Sequence, residues 1–320
     1  MINYEVSSLL QLITLIHKTL IHKSGRASIL ACLTNLLMAC SPPAPPANSE
    51  SKAQQHPDHP LKSNLILKSY TVSMDADYPP YSFRDAQGDA IGFDVDMLRS
   101  IGEAEGFNVE FDPMPWQIVI NTVAQGKHQI ALGGIARGDV VEQKLTDKIL
   151  LSNPYNYGQD AVAINQRNPQ LDLAAVNGLD SLKNLRIATI VDTGYTLDIE
   201  KLEQGQTTTI LKENTTFLAY KHLFNNTADV VLADRGVLEY LNKNNPQLPI
   251  SIGGKGKYFD EPYGMVYVID KHHPELQAKI NQGIATLVAN GTYNQIHQKW
   301  FGVSPTYIPG KVKIDKSSTK

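Results

Sequence analysis

The sequence predicts an α/β protein built from two similar lobes. Segments with strand and helix patterns alternate over residues 66–160, and the alternation starts again over residues 165–260. Extended apolar runs at 159–164 and 265–269 predict two crossings between the lobes. Because helical patterns follow the second crossing, we expect residues 265–302 to rejoin the first lobe. A chain of 320 residues is long enough for two such lobes.

In the first series, residues 65–73 alternate as a strand and lead into an aspartate- and proline-rich segment. A helix follows from Phe93, with acidic residues in its first turn, where the helix dipole favours them. We expect Gly106 to end this helix. Its apolar residues recur at helical spacing and predict the buried face: Phe93, Met97, Ile101 and Ala104. The series continues with a strand at 109–111, a helix at 116–125 and a strand at 130–132.

The second series repeats this order without detectable sequence repetition. Apolar segments predict strands at 185–191, 208–211 and 230–233. We expect Thr215 to cap a helix that runs through Phe224. Two further helices are predicted at 274–290 and 292–301. Parallel sheets of this kind place ligands at the carboxyl ends of their strands.

Composition excludes several functional classes. The chain has 42% hydrophobic and 19% charged residues and a formal net charge of −3, so it is neither disordered nor basic like a nucleic-acid-binding protein. Its two cysteines, Cys32 and Cys40, cannot form a disulfide framework or a four-ligand zinc site. The pair His56 and His59 lies in a polar linker, where we expect no metal. Phosphate-binding and hydrolase motifs are missing from the sequence, so we expect no cofactor.

The first 39 residues have the features of a secretion signal. Basic residues precede an apolar stretch at 27–39, which has the length of a signal-peptide core and is too short to span a membrane. The stretch ends in Leu-Met-Ala before Cys40, which resembles a bacterial lipobox, and we expect Cys40 to carry lipid. A Pro-rich segment follows, so residues 40–65 are predicted to be a flexible tether. We expect residues 303–320 to form a C-terminal tail.

An ordered set of motifs then identifies a family. They are DYPPYSF at 77–83, GFDVDM at 92–97, PMPW at 113–116, SNPY at 152–155, ADVVLAD at 228–234, EPYG at 261–264, and NGTY with KWFG between 290 and 302. In this order they resemble the bacterial extracellular solute-binding proteins of family 3, the polar amino acid receptors of ABC transporters. The resemblance implies a periplasmic-binding-protein type II fold, also called a Venus flytrap, with two lobes joined by two hinge strands.

The same resemblance implies a ligand pocket. Tyr78 and Trp116 match the aromatics that the family places against the ligand side chain. Asp234 matches the acid that binds the ligand ammonium, although it is also placed to cap the following helix. The resemblance further assigns backbone contacts with the ligand to two segments: Gly134 in the first lobe, and Gly194, Tyr195 and Thr196 at a helix start in the second.

One position departs from the family pattern. Val141 stands where the family has an arginine that holds the ligand carboxylate. Arg137 is the sole arginine between Gly133 and Pro154, beside Gly134, so we expect it to hold any ligand anion. If the ligand lacks a carboxylate, Arg137 is a surface residue instead.

These features favour a lipid-anchored, extracytoplasmic binding protein that delivers a small polar solute, such as an amino acid or related amine, to an ABC permease in the inner membrane. We expect a monomer with no catalytic residues and no nucleic-acid partner. Two alternatives remain on the same fold. One is a cyclohexadienyl (prephenate or arogenate) dehydratase-like enzyme, with Asp234 or Glu261 as general acid. The other is a ligand-sensing subunit.

Overall fold

Two five-stranded sheets form the framework of the computed structural model, which describes residues 67–203 and 207–312. The predicted signal segment, Cys40, the predicted tether at 40–65 and the part of the predicted tail beyond residue 312 lie outside the described residues. The strands, in chain order, are β1 (Ser69–Asp75), β2 (Asp77–Tyr78), β3 (Ser82–Arg84), β4 (Ala90–Ile91), β5 (Asn108–Met114), β6 (Ile130–Leu132), β7 (Ile149–Leu151), β8 (Asn156–Gly158), β9 (Asp160–Asn165), β10 (Arg186–Ile190), β11 (Thr209–Glu213), β12 (Val230–Asp234), β13 (Ile250–Gly253), β14 (Tyr263–Met265) and β15 (Val268–Asp270).

Helices cover the sheets and connect their strands. They are α1 (Phe93–Glu105), α2 (Trp116–Ala124), α3 (Arg137–Glu142), α4 (Gly194–Glu203), α5 (Thr216–Phe224), α6 (Arg235–Asn244), α7 (Lys257–Asp260), α8 (Pro274–Asn290) and α9 (Thr292–Phe301). None of the helices in the described ranges is long and apolar enough to cross a membrane.

The first sheet has the order β5-β1-β6-β15-β7. Its strands β5, β1 and β6 are parallel, as the predicted alternation of strands and helices requires, whereas β15 runs antiparallel to both of its neighbours. The side chains of β6 are completely buried. The sheet therefore combines an early part of the chain with a strand that arrives more than a hundred residues later.

The second sheet has the order β11-β10-β12-β9-β13 and repeats the same plan. Strands β11, β10 and β12 are parallel, and β9 runs antiparallel to β12 and β13. Strand β9 of the second sheet follows β8 in the chain, and strand β15 of the first sheet follows β14. Strands β8 and β14 pair with each other as a two-stranded ribbon. This ribbon carries the chain from one sheet to the other and back, as two hinge strands do.

Most predicted elements agree with the structure, and the exceptions are local. Helices α8 and α9 have the predicted bounds, and Thr215 caps α5 by accepting a hydrogen bond from the Leu218 N–H. Gly106 ends α1 in a left-handed conformation, as expected. Ala104 is exposed, however, so its placement on the apolar face was wrong, and Leu98 is buried there instead.

The crossings lie slightly earlier than the apolar runs suggested. The run at 159–164 lies mostly in β9, and the run at 265–269 extends from the last residue of β14 into β15. Strands β9 and β15 are members of the two sheets, and the ribbon strands β8 and β14 precede them in the chain. The apolar character of both runs follows from this position, because each strand lies inside a sheet and is covered on both faces.

Candidate functional site

A cavity of about 320 Å³ lies between the two sheets, next to the carboxyl ends of their central strands. Asp75 at the end of β1 and Gly134 after β6 contribute from the first sheet, and Ile190 at the end of β10 contributes from the second. Tyr263 of the ribbon completes the wall. The volume is in the range of small-molecule sites, and the position follows the rule for ligands in parallel sheets.

Hydrogen bonds join the two sides of the cavity. The Trp116 indole Nε1–H donates to the Val191 carbonyl at 3.1 Å, which connects α2 to the loop after β10. The Gln117 side-chain amide donates to Asn214 Oδ1 at 3.3 Å. The structure therefore represents a closed arrangement in which the sides contact each other directly.

Six of the eight residues proposed from the sequence as ligand contacts line this cavity, and two do not. The six are Tyr78, Trp116, Gly134, Arg137, Gly194 and Tyr195. Thr196 is buried below the loop, where its hydroxyl donates to the Ile190 carbonyl at 2.6 Å, so it supports the start of α4 from behind. Thr193, which hydrogen-bonds Thr196, lines the cavity instead.

Asp234 is the second predicted residue that does not line the cavity. Its side chain is completely buried behind Tyr263, whose hydroxyl donates to Asp234 Oδ2 at 2.5 Å. Oδ1 accepts the Val237 N–H at 3.0 Å and caps α6. Burial is the main cause that raises the pKa of Asp234 to about 6, against the opposing effect of these hydrogen bonds. Of its two predicted roles, the helix cap is the one that the structure displays.

The cavity receives a different carboxyl group from the strand beside Asp234. Strand β9 pairs with β12 so that Asp160 lies directly opposite Asp234. Asp160 is 3% exposed and lines the cavity. The family motif pointed to Asp234 on β12, whereas Asp160, its cross-strand partner on β9, lines the cavity.

Asp139, on the short helix α3, occupies the predicted anion position at the start of α4. Its Oδ1 accepts the Gly194 N–H at 2.7 Å, and its Oδ2 accepts the Ala136 N–H at 2.7 Å. A Cβ atom on Gly194 would lie 3.0 Å from the Gly138 Cα, so α3 and α4 are in close contact here. Of the backbone donors expected to meet a ligand carboxylate, the Gly194 N–H is therefore bound by Asp139, and the Thr196 N–H donates to the Thr193 carbonyl.

Buried acids dominate the charge of the cavity wall. Asp75 and Asp139 both line it, and burial, as the largest cause, raises the pKa of each to about 7. Arg137 is exposed at the rim and also borders a second cavity. Within the described ranges, no group of three or more His, Cys, Asp or Glu residues could hold a metal ion.

Aromatic rings form the remaining walls. Trp116 is 6% exposed and is held by its hydrogen bond across the cavity. Tyr78 stacks on Tyr81 with ring centroids 5.5 Å apart, and Tyr195 and Tyr263 line the cavity from the other side. Such faces attract aliphatic groups and cations. Thr216 also lines the cavity, and its buried hydroxyl has no hydrogen-bond partner in the part of the chain that the structure describes.

Sequence reasoning missed several of these residues. Tyr263 belongs to the EPYG motif, and Asp75 ends a strand directly before the DYPPYSF motif, so both stood next to recognised signals. Asp139 and Asp160 carried no comparable signal, because each reaches the cavity through contacts with residues distant in sequence.

The two sheets, the ribbon between them and the cavity at their strand ends define the chain as a two-lobed binding protein of the type II periplasmic class. Residues 70–303 match the family of bacterial extracellular solute-binding proteins, family 3, and the chain belongs to this family.

Relatives of known name agree with this assignment. The chain is 26% identical over 236 residues to a probable histidine-binding protein of Neisseria gonorrhoeae, an alignment that covers 73% of this chain and 83% of that protein. It is 24% identical over 242 residues to a putative ABC transporter arginine-binding protein of Escherichia coli, covering 75% of this chain and 93% of the relative.

Solved structures show the same fold. An ancestral arginine-binding protein bound to arginine superimposes with a TM-score of 0.64 at 26% identity, over 73% of this chain and 98% of that one. The arginine-, lysine-, histidine-binding protein ArtJ of Geobacillus stearothermophilus gives a TM-score of 0.64 at 26% identity, over 75% of this chain and 97% of that one.

Proposed function

We propose that this protein is the extracytoplasmic solute-binding component of an ABC-type importer, and that it captures a small polar solute and delivers it to a permease. The solute is an amino acid or a related amine. The family assignment supports this function, as do the named relatives, which include histidine- and arginine-binding proteins.

The observation that carries the proposal is the cavity enclosed between two sheets that a two-stranded ribbon connects. Groups from both sides line the cavity, so a ligand inside it contacts both lobes at once. Such a ligand binds the closed state more tightly than the open state and shifts the population toward closure. Closure is the event that a permease can recognise.

We assign ligand contact to Tyr78, Trp116, Gly134, Gly194 and Tyr195, which line the cavity. Arg137 remains a candidate for any ligand anion at the rim, and Thr196 acts by supporting the loop. We propose Asp160, in place of Asp234, as the acid that faces a ligand cation, because it is buried at the cavity wall.

We further propose that Cys40 carries lipid and tethers a monomeric binding domain to the membrane on its periplasmic side. The sequence around Cys40 and the Pro-rich segment after it support this anchor. Replacing Cys40 with Ala should release the protein from membranes or block removal of residues 1–39. Fractionation of cells that express each form measures the effect, and a wild-type protein that is soluble with residues 1–39 intact would contradict the anchor.

The function is tested by a thermal-shift screen of the purified full chain, followed by uptake measurements. A ligand at ~100 times its Kd stabilises the folded state by about 2.7 kcal/mol, which is a readily measured shift. Deleting the gene should then abolish high-affinity uptake of the same solute, and the wild-type gene should restore it. Turnover of prephenate by the purified protein, or uptake that is unchanged by the deletion, would contradict a transport function.

A further inference from the structure

The place where a ligand carboxylate was expected holds a carboxylate of the protein itself. Asp139 accepts one N–H from each side of the cleft, from Ala136 next to the first sheet and from Gly194 at the start of the ten-residue helix α4. Both distances are 2.7 Å, which is typical of a charge-assisted hydrogen bond. These donors cannot bind a ligand carboxylate without first losing Asp139.

Space at this point is also limited. The close approach of Gly194 to Gly138 leaves no gap between α3 and α4 for an additional anionic group. Val141 is 48% exposed, so the position that the family uses for a carboxylate-binding arginine faces solvent with an apolar side chain. A ligand carboxylate would therefore have to lie elsewhere in the cavity, beside the carboxyl groups of the wall.

The charge of the wall opposes an anion at that alternative place. Asp75, Asp139 and Asp160 line the cavity from three different elements, and none is more than 7% exposed. The basic side chains at the wall lie further out: Arg137 is at the rim, and Lys201 is 71% exposed and paired with Asp198. Buried carboxyl groups disfavour an anion beside them, and a bound cation would stabilise their ionised form, because water is not available to solvate the charge.

Two further groups suit a nitrogen cation. The rings of Tyr78 and Trp116 line the cavity, and aromatic faces attract ammonium and guanidinium groups. Thr216 is 2% exposed and lines the same cavity, and its hydroxyl has no partner among the described residues, so it is available to a ligand N–H. An unsatisfied buried hydroxyl is costly, which makes a ligand the natural partner.

We propose that the cavity binds an organic cation that has no free carboxylate, namely an amine or guanidine of the size of a decarboxylated basic amino acid, and that Asp139 takes the place of the missing ligand carboxylate. This inference rests on the proposed function and defines its substrate class. Asp139 also bridges α3 and α4, so the protein itself supplies the bond across the cleft that a zwitterionic ligand would otherwise provide.

The test compares matched pairs of probes that differ only in the carboxylate: agmatine with arginine, cadaverine with lysine, and histamine with histidine. Calorimetry on the purified full chain should show, for at least one pair, that the amine binds at least about tenfold more tightly than its amino acid. Equal or tighter binding of the amino acid in every pair that binds would overturn the inference.

Variants at position 139 provide a second measurement. Asp139→Ala frees the N–H groups of Gly194 and Ala136 and removes a negative charge, so the preference for the amine over the amino acid should fall by about tenfold or more. Asp180→Ala is the matched control, because it removes the same charge from a side chain that is 84% exposed and lies outside the cavity wall. Asp139→Asn, which keeps one acceptor oxygen, replaces the alanine variant if that variant does not fold.

The outcomes separate this inference from the proposed function. If the chain binds and imports a neutral or anionic solute, the substrate class is wrong and the transport function stands. If no probe and no other small solute binds, both are wrong. An unchanged preference in a folded Asp139 variant would also overturn the role of Asp139.

Discussion

Replacing Gly134 with Ala tests whether the closely packed wall around Tyr78 shapes the cavity. Gly134 has a φ of 63°, and a Cβ atom there would lie 2.5 Å from Tyr78 Cε1. The backbone cannot move away easily, because the Gly134 N–H donates to the buried Asp94 at 2.8 Å. The Tyr78 ring is confined by its stacking on Tyr81, so it must shift into the cavity that it lines.

The expected cost has two parts. An alanine in the left-handed region costs about 1–2 kcal/mol, and forcing an extra methyl group into a packed site costs about 1–3 kcal/mol. Together they should lower the free energy of unfolding by roughly 2–5 kcal/mol. A domain of this size loses ~2–4 °C in Tm for each kcal/mol, so the shift should be roughly 4–20 °C.

Gly126→Ala is the matched control for the backbone term. Gly126 has a φ of 70°, and a Cβ atom added there would have nothing within 4 Å. Urea denaturation of both variants should give the cost of the Tyr78 displacement as their difference, and calorimetry should show weakened ligand binding for Gly134→Ala alone. Equal stability and equal affinity of the two variants would refute the packing argument.

Three further predictions concern the cavity. Trp116→Phe keeps an aromatic ring but loses the hydrogen bond to the Val191 carbonyl, so ligand affinity measured by calorimetry should fall by about 2–10-fold. An unchanged affinity would show that this hydrogen bond does not stabilise closure. Asp160→Asn should weaken binding of a cationic probe by about tenfold or more, and by more than Asp234→Asn does, whereas the reverse order would restore Asp234 as the ligand contact. Burial raises the pKa of Asp75 to about 7, so between about pH 4 and 7 its carboxyl group keeps a proton in the native state that the unfolded chain has lost. The unliganded protein should therefore lose stability to urea as pH rises through this window, while its affinity for a cation rises. A flat or opposite pH profile would contradict the assigned burial.

The fold was largely predictable because its strongest signals are local. Apolar periodicity and capping residues such as Thr215 report on contacts within a few residues, and these set the helices at 274–290 and 292–301 correctly. Helix α3 was not predicted, since six residues are too few to show a helical period. The ribbon strands β8 and β14 have three residues each and were missed for the same reason.

The candidate site was predictable only in part. The family resemblance assigned Tyr78, Gly134 and Gly194 to the ligand pocket, and all three line the cavity. Asp234 was identified as the ligand acid from its motif, yet its side chain lies behind Tyr263. Asp160 lies directly opposite Asp234 in the sheet, and Tyr263, which is distant from both in sequence, covers Asp234, so no local pattern contains the difference between them.

The sequence by itself therefore determined the two-lobed α/β architecture, the family and the loops that surround the cavity, since periodicity and motifs encode local conformation. Only the tertiary structure decided which charges line the cavity. Asp139 meets the Gly194 N–H across 55 positions of sequence, and Asp160 reaches the wall through the register of β9 against β12. The burial and the hydrogen-bond partners of a carboxyl group depend on segments that folding brings together, so the charge of the cavity becomes visible only when the lobes are assembled.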